Sequence, residues 1–297
     1  MLNIALLCCA ISLYLIATLL IIKALRGSKK ANDHETADKG SLENINNQSQ
    51  AGTSTDLFSS QISRAFMVGG LGSLAHIFLA YQYSVQNGLL DFSLGSMAIL
   101  ISGLLCLIFV LGGLALPVRR LGIIVFPLTV ISVLFGWFWA AEPSFRPSGS
   151  AASTAHIVVS ILAYCLLAIA SIQALLYTYQ ERQFKKRVTP AMLIALPPLQ
   201  TMEQLLFRLI WSGFALLTFT LVSGAIFSNE IYNRPFEFKH HTILASLGWL
   251  VFAYLLLQRV TRGIRGSQAV YWTIAGFLLI QLGYFGTKFV TETLAVQ

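Results

Sequence analysis

Residues 155–187 read AHIVVSILAYCLLAIASIQALLYTYQERQFKKR, and this stretch decides the fold class. Its first two thirds contain no charged residue, whereas its last six residues include four basic ones. A helix of about 20 apolar residues crosses the hydrocarbon core of a bilayer, which is roughly 30 Å thick. Basic residues collect at the cytoplasmic ends of such helices. The stretch therefore predicts a membrane-spanning helix with His156 at its outer end.

The composition of the whole chain is also strongly apolar and poor in charged residues. Of its 297 residues, 56% are hydrophobic and only 11% are charged, and the mean hydropathy is +0.72. Soluble domains average about 25% charged residues, and disordered chains combine low hydrophobicity with high charge, so both classes are excluded. The four cysteines lie in apolar blocks without a CxxC pattern, and we expect them to be small buried residues rather than disulfides.

Eight apolar blocks of spanning length follow one another along the chain. We therefore expect an all-α, polytopic membrane protein with eight transmembrane helices. The predicted spans cover residues 2–25, 65–84, 94–116, 121–141, 156–177, 205–227, 241–257 and 269–290.

The basic residues predict the orientation of these spans. Sixteen of the 20 Lys and Arg fall in alternate connections, and the opposite set of connections holds only four. Because cytoplasmic connections carry the excess of Lys and Arg, both termini are expected on the outer (periplasmic) side of the membrane. The sixteen are Lys23, Arg26, Lys29, Lys30, Lys39, Arg64, Arg119, Arg120, Arg182, Lys185, Lys186, Arg187, Arg208, Arg259, Arg262 and Arg265.

A polar segment divides the predicted spans into one and seven. Residues 26–63 are rich in Ser, Asn, Asp and Lys and show no apolar stripe at helical spacing, which is typical of a flexible linker. We expect three parts: a first transmembrane helix (1–25), a flexible polar cytoplasmic linker (26–63) and a seven-helix membrane domain (64–297).

Histidine carries the polar chemistry of the spans. No Asp, Glu, Lys or Arg lies in the middle of any span, and no nucleophile–base set, phosphate-binding loop or HExxH motif occurs, so we expect no enzyme. His156 opens the fifth span, His240 and His241 open the seventh, and His76 lies within the second. Paired imidazoles from facing helices hold haem iron in helix bundles. Small residues near these histidines fit either a flat ligand or simple helix packing, and both interpretations stay open.

Three segments resemble the cytochrome c assembly protein family, of the CcsA/ResC/CcmC type, and most closely its YpjD/HemX-like inner-membrane branch. The first is the opening stretch, residues 155–187. The second is LPPLQTMEQLLFRLIWSGFALLTFTLVSGAIF (196–227), and the third is KHHTILASLGWLVFAYLLLQRVTRGIRG (239–266). The resemblance covers residue 64 to the C-terminus. It implies a haem-binding protein that assists cytochrome c biogenesis or related haem handling, with haem and either apocytochrome c or other cytochrome c maturation proteins as partners.

The resemblance also implies ligands for the haem iron. Two outward-facing histidines of the family ligate haem, and His156 matches the first of them. For the second, the register against GWLVFA favours His240, whereas the small residues Ala245 and Gly248 below His241 favour His241. His76 would correspond to a histidine on the second span of the YpjD-like branch and is a candidate internal site.

One feature departs from the family pattern. The loop 228–239, SNEIYNRPFEFK, stands where the family has a tryptophan-rich WWD motif, yet it contains no tryptophan. Phe236 and Phe238 are its only possible substitutes for the tryptophans. This departure supports an alternative function: a membrane accessory or transport-related protein that kept the fold and lost haem presentation.

Overall fold

A computed structural model of the chain describes residues 2–38, 46–86, 89–115, 119–139, 150–186, 198–228 and 240–293. Nearly all of these residues are helical, as expected for an all-α membrane protein. The exceptions include a short hairpin with strands of two residues each, in which β1 (Val85–Gln86) pairs antiparallel with β2 (Leu89–Leu90).

The helices are numbered here in chain order. A single 3₁₀ turn, Arg119–Leu121, precedes α4, and a π-helical segment, Leu282–Gly286, joins α8 to α9. The helices are α1 (Leu2–Asp38), α2 (Asn46–Ser84), α3 (Leu94–Ala115), α4 (Gly122–Phe138), α5 (Ala151–Lys185), α6 (Leu199–Ile226), α7 (His240–Arg262), α8 (Ser267–Gln281) and α9 (Thr287–Thr293).

Seven helical segments among the described residues are long and apolar enough to cross a membrane, so the chain is a multi-pass membrane protein. They match seven of the eight predicted spans, and α8, the π segment and α9 together form the last of them. The remaining predicted span, 121–141, corresponds to α4, which is shorter at 17 residues. Its expected last residues, 140 and 141, lie outside the described part of the chain.

The segment expected to be a linker is largely helical where its backbone is described. Helix α1 continues to Asp38 and α2 begins at Asn46, so each extends well beyond its predicted span. The segment contains alanine, lysine and glutamate, which favour helix, and it contains no proline. The backbone of this segment is therefore helical although the segment has no apolar stripe at helical spacing.

The prediction that all four cysteines are buried is wrong for two of them. Cys106 and Cys165 are buried, but Cys8 and Cys9 are exposed on the surface of α1. Apolar residues on the outer face of a membrane helix contact lipid instead of protein. Leu19, on the same helix, is 64% exposed for the same reason.

The helices form two groups of four. In the first group α1 packs against α2 and α4, and α3 packs against the same two helices. In the second group α5 packs against α6 and α8, and α7 packs against the same two helices. The contact between α3 and α5 joins the two groups, and α9 adds a smaller contact to α3.

Glycines bring the helices of the second group close together. A Cβ atom on Gly248 of α7 would lie 2.8 Å from Ile280 Cγ1 on α8, and one on Gly276 of α8 would lie 2.8 Å from Phe252 Cε2 on α7. Phe252 is fully buried. Lipid is as apolar as leucine, so close packing of this kind, rather than a hydrophobic driving force, holds membrane helices together.

Candidate functional site

His156 lies near the start of α5, in the second turn of the helix. The helix begins after Ser150, whose side chain accepts a hydrogen bond from the backbone N–H of Ser153 at 3.1 Å, as an N-cap serine does. This cap fixes where the first turn of α5 begins, and thus the position of His156 along the helix axis. The His156 side chain is buried, with 8% of its surface exposed.

Helix α6 provides the surroundings of the His156 ring. The Nδ1 atom lies 2.9 Å from the hydroxyl oxygen of Ser223, a buried residue. The next residue, Gly224, has no side chain to crowd the ring, and a Cβ atom there would lie 3.1 Å from Cε1 of His156. Ser223 and Gly224 therefore form a small polar seat for the imidazole within an apolar helix pair.

His240 and His241 are the first two residues of α7, and both side chains are exposed. The helix turns below them differ. Gly248, two turns below His241, is buried, whereas Leu247, two turns below His240, is 44% exposed. The buried face of α7 thus continues the line of His241 more closely than that of His240.

The two helices that carry these histidines lie diagonally in the second group. Both α5 and α7 pack against α6 and α8, and among the described residues α5 and α7 make no extensive contact with each other. They are separated in the chain by one helix, so in an up-and-down group they run in the same direction. Their histidines therefore lie at the same end of the group.

His76 lies in a different place, inside the first group. Its side chain is fully buried, and its Nδ1 atom is hydrogen-bonded to the hydroxyl of Tyr14 on α1 at 3.2 Å. Gly103 of α3 closes the other side, because a Cβ atom there would lie 3.3 Å from Cδ2 of the ring. The structure does not bring His76 together with His156, since the two residues belong to different helix groups.

The small residues near His76 serve packing. A Cβ atom on Gly72 would lie 3.1 Å from the ring of Tyr14, and Gly69 faces the ring of Phe126. Tyr14 and Phe126 stack on each other with ring centroids 5.7 Å apart. The packing interpretation of this small-residue face is therefore the one that the geometry favours.

Three polar features were missed by the sequence reasoning. Ser223 is one, although a Ser-Gly pair inside an apolar block was a usable signal. The second is a hydrogen bond from the Tyr164 hydroxyl on α5 to Gln281 at the end of α8. The third is the start of α3, where the backbone N–H of Leu94 donates to the carboxylate of Glu292 at 3.0 and 3.1 Å.

His156 is the residue of this region whose surroundings suit ligation of a haem iron. Within the described ranges, no three His, Cys, Asp or Glu side chains come together as a metal site. A haem needs only one or two axial protein ligands, because the porphyrin supplies four nitrogens. His156, held through Nδ1 and facing a glycine, has the chemistry of such an axial ligand. The enclosed ring of His76 does not fit a porphyrin in this arrangement.

Sequence comparisons identify relatives of the chain. Residues 149–295 match the sequence model of the family described as cytochrome C assembly protein. The chain is 26% identical to "Inner membrane protein YpjD" of Escherichia coli K12, over 69% of this chain and 77% of that protein. It is 30% identical to "Cytochrome c biogenesis protein CcsA" of Guillardia theta, over 47% of this chain and 51% of that protein. No solved structure matches the chain.

Proposed function

We propose that the chain is a haem-binding membrane factor that assists cytochrome c biogenesis or a related haem-handling step, because residues 149–295 match the sequence model of the cytochrome C assembly protein family. Its role in this proposal is to bind and present haem, without catalysis of its own. Haem and the cytochrome c maturation proteins, including apocytochrome c, are its proposed partners. The name of the similar CcsA proteins supports the process, and that of YpjD supports the inner membrane as its location.

The seat of His156 between α5 and α6 is the observation that carries this proposal. A buried histidine near the end of a membrane helix, with one ring nitrogen held by a hydroxyl and a glycine against its edge, is suited to axial ligation. Haem bound there would be the group that is presented to the partner protein. The chain itself orients the imidazole and keeps bulk water from its ring.

We propose that the second axial ligand comes from the start of α7, as His240 or His241. The diagonal arrangement of α5 and α7 supports a ligand between them, because α6 and α8 hold the two helices apart. The continuation of the buried face through Gly248 favours His241, and the register of the resemblance favours His240. His76 is the lower-ranked site, because its ring is fully buried between the helices of the first group.

The proposal includes eight spans with both termini on the periplasmic side. At 1.5 Å per residue, the 17 residues of α4 extend about 26 Å, close to the thickness of the hydrocarbon core. The four-helix packing of the first group, in which α4 contacts α1 and α3, supports α4 as a full member. Residues 64–297 would then form a seven-helix assembly-type domain, with α1 packed onto it and residues 26–63 on the cytoplasmic side.

A second function follows from the loop between α6 and α7. It contains no tryptophan, and residues 229–239 lie outside the described part of the chain. If tryptophans are needed to present haem, this protein would be a membrane accessory or transport-related factor on the same fold. Normal levels of c-type cytochromes in a deletion strain would favour this second function, and a loss of them would favour the first.

An absorption spectrum of the purified protein tests haem binding directly. The full chain in mild detergent, with added haemin where it is purified without haem, should give a bis-imidazole spectrum in the oxidised and the dithionite-reduced forms. His156→Ala and the double change H240A/H241A should each lose it, because each removes an axial ligand. His34→Ala, in the polar segment between the first two spans, is the matched control and should leave it unchanged.

The same spectra can also contradict the proposal. A wild-type protein that takes up no haem from solution would overturn the proposal. A spectrum that survives His156→Ala but disappears in His76→Ala would move the site to the first helix group.

A further inference from the structure

The contact between His156 and Ser223 determines more than the position of the ring. A neutral imidazole carries one proton, either on Nδ1 or on Nε2, and the partner of one nitrogen decides the state of the other. Ser223 is 67 residues away in sequence but lies 2.9 Å from Nδ1. Both side chains are more than nine-tenths buried, so bulk water does not compete for this hydrogen bond.

The hydroxyl of Ser223 has a second partner that fixes its direction. It donates to the backbone carbonyl of Thr220, one turn earlier on α6, at an oxygen–oxygen distance of 3.2 Å. A serine hydroxyl has a single proton and two lone pairs. With its proton directed to Thr220, the hydroxyl has a lone pair left for His156, an arrangement that favours a proton on Nδ1.

We propose that Ser223 is a positioning residue that holds His156 as the Nδ1–H tautomer and thereby presents the lone pair of Nε2 to haem iron. The inference rests on the proposed function for its ligand, whereas the tautomer itself is a property of the protein without haem. The nitrogen that ligates metal in a histidine is set in this way by the hydrogen bond of the other nitrogen.

A serine partner has a chemical consequence that a carboxylate partner would not have. Metal-bound histidines often donate to a carboxylate, which raises the basicity of the imidazole and strengthens its bond to the metal. The neutral hydroxyl of Ser223 orients His156 without adding negative charge to it. The ligand is therefore held in place but not made strongly basic, which suits a site that must release the haem it binds.

Ser160 provides a matched control on the same helix face. Its hydroxyl donates to the backbone carbonyl of His156 at 2.8 Å, one turn along α5, and contacts the backbone rather than the ring. Replacing Ser160 or Ser223 by alanine removes the same atom. Only the change at Ser223 removes a hydrogen bond from the imidazole.

Nitrogen NMR of the haem-free protein tests the tautomer. The full chain, labelled with ¹⁵N-histidine in detergent or lipid, gives different ¹⁵N shifts for protonated and unprotonated ring nitrogens, and His156→Ala identifies the signals of His156. We expect His156 to be Nδ1–H in the wild type and in Ser160→Ala, and to be a mixture in Ser223→Ala. Ser223→Thr, which keeps a hydroxyl, should restore the single tautomer. An Nε2–H form in the wild type, or unchanged signals in Ser223→Ala, would overturn the assignment.

Haem titration of the same variants tests the role of the tautomer. Ser223→Ala should weaken haem affinity about 10–100-fold, the usual cost of losing an outer-shell partner of a metal ligand, and Ser160→Ala should not. Equal affinity in wild type and Ser223→Ala would refute the positioning role. Failure of the wild type to bind haem, with the Nδ1–H tautomer observed, would overturn the proposed function and the ligand assignment together, yet leave the tautomer intact.

Discussion

Tyr14 and His76 form the most deeply buried polar pair described in the protein. Neither side chain has any exposed surface, and they join the first helix of the chain to the second. The other ring nitrogen of His76 has no hydrogen-bond partner among the described residues. An imidazole inside a membrane protein needs at least one partner, because an unsatisfied polar group in hydrocarbon is costly. The hydrogen bond of this pair therefore stabilises the contact of α1 with α2.

Removal of the Tyr14 hydroxyl should destabilise the protein. Tyr14→Phe keeps the stacking on Phe126 but leaves Nδ1 of His76 without its partner, so we expect a loss of about 1 kcal/mol. Thermal unfolding in detergent measures this loss. Tyr254→Phe is the control, since Tyr254 is 41% exposed and its ring contacts Trp272. Equal melting temperatures for Tyr14→Phe and the wild type would contradict a stabilising role of this hydrogen bond.

At the scale of the element, the approach of α7 to α8 depends on glycine. Helices that meet through glycine come close enough to make many weak contacts. The contact then leaves no space for even one added methyl group. Phe252 is the residue that the Gly276 backbone faces, and its ring is fully buried. The geometry of the helix pair that carries His240 and His241 thus depends on a position without a side chain.

A paired substitution tests this dependence. Gly276→Ala should cost about 1–3 kcal/mol, because the added Cβ would lie 2.8 Å from the buried Phe252 ring. Gly112→Ala on α3 should be neutral or slightly stabilising, since nothing lies within 4 Å of its Cβ position and alanine favours helix. The comparison uses unfolding of both variants under one condition. Similar stabilities for the two variants would show that the α7–α8 contact can relax.

For the whole molecule, the number of spans determines on which side the termini lie. Eight spans place both termini on the same side of the membrane, and seven place them on opposite sides. We expect epitope tags at the N-terminus and the C-terminus both to be accessible to antibody in spheroplasts, whose periplasmic surface is exposed. A cytoplasmic protein serves as the control for intact membranes. Accessibility of only one tag would remove α4 from the spans.

The sequence predicted where the apolar parts of the helices lie, because bilayer thickness sets the length of an apolar block independently of tertiary contacts, but it missed the polar extensions of α1 to Asp38 and of α2 from Asn46. It also placed His156 at the start of its helix. It could not predict that Cys8 faces outward, because lipid-facing and protein-facing residues are equally apolar. Nor could it predict Ser223 as the partner of His156, since their contact depends on how α5 and α6 pack.

The hydrogen bonds between Leu94 and Glu292 have a consequence for the order of biosynthesis. The two residues are 198 positions apart, and a ribosome adding about 5–20 residues per second needs about 10–40 s to make the chain between them. During this interval α3 has already been made, but the carboxylate of Glu292 has not. Any packing among the first four helices during this interval therefore takes place without these hydrogen bonds, which can form only after α9 has been made.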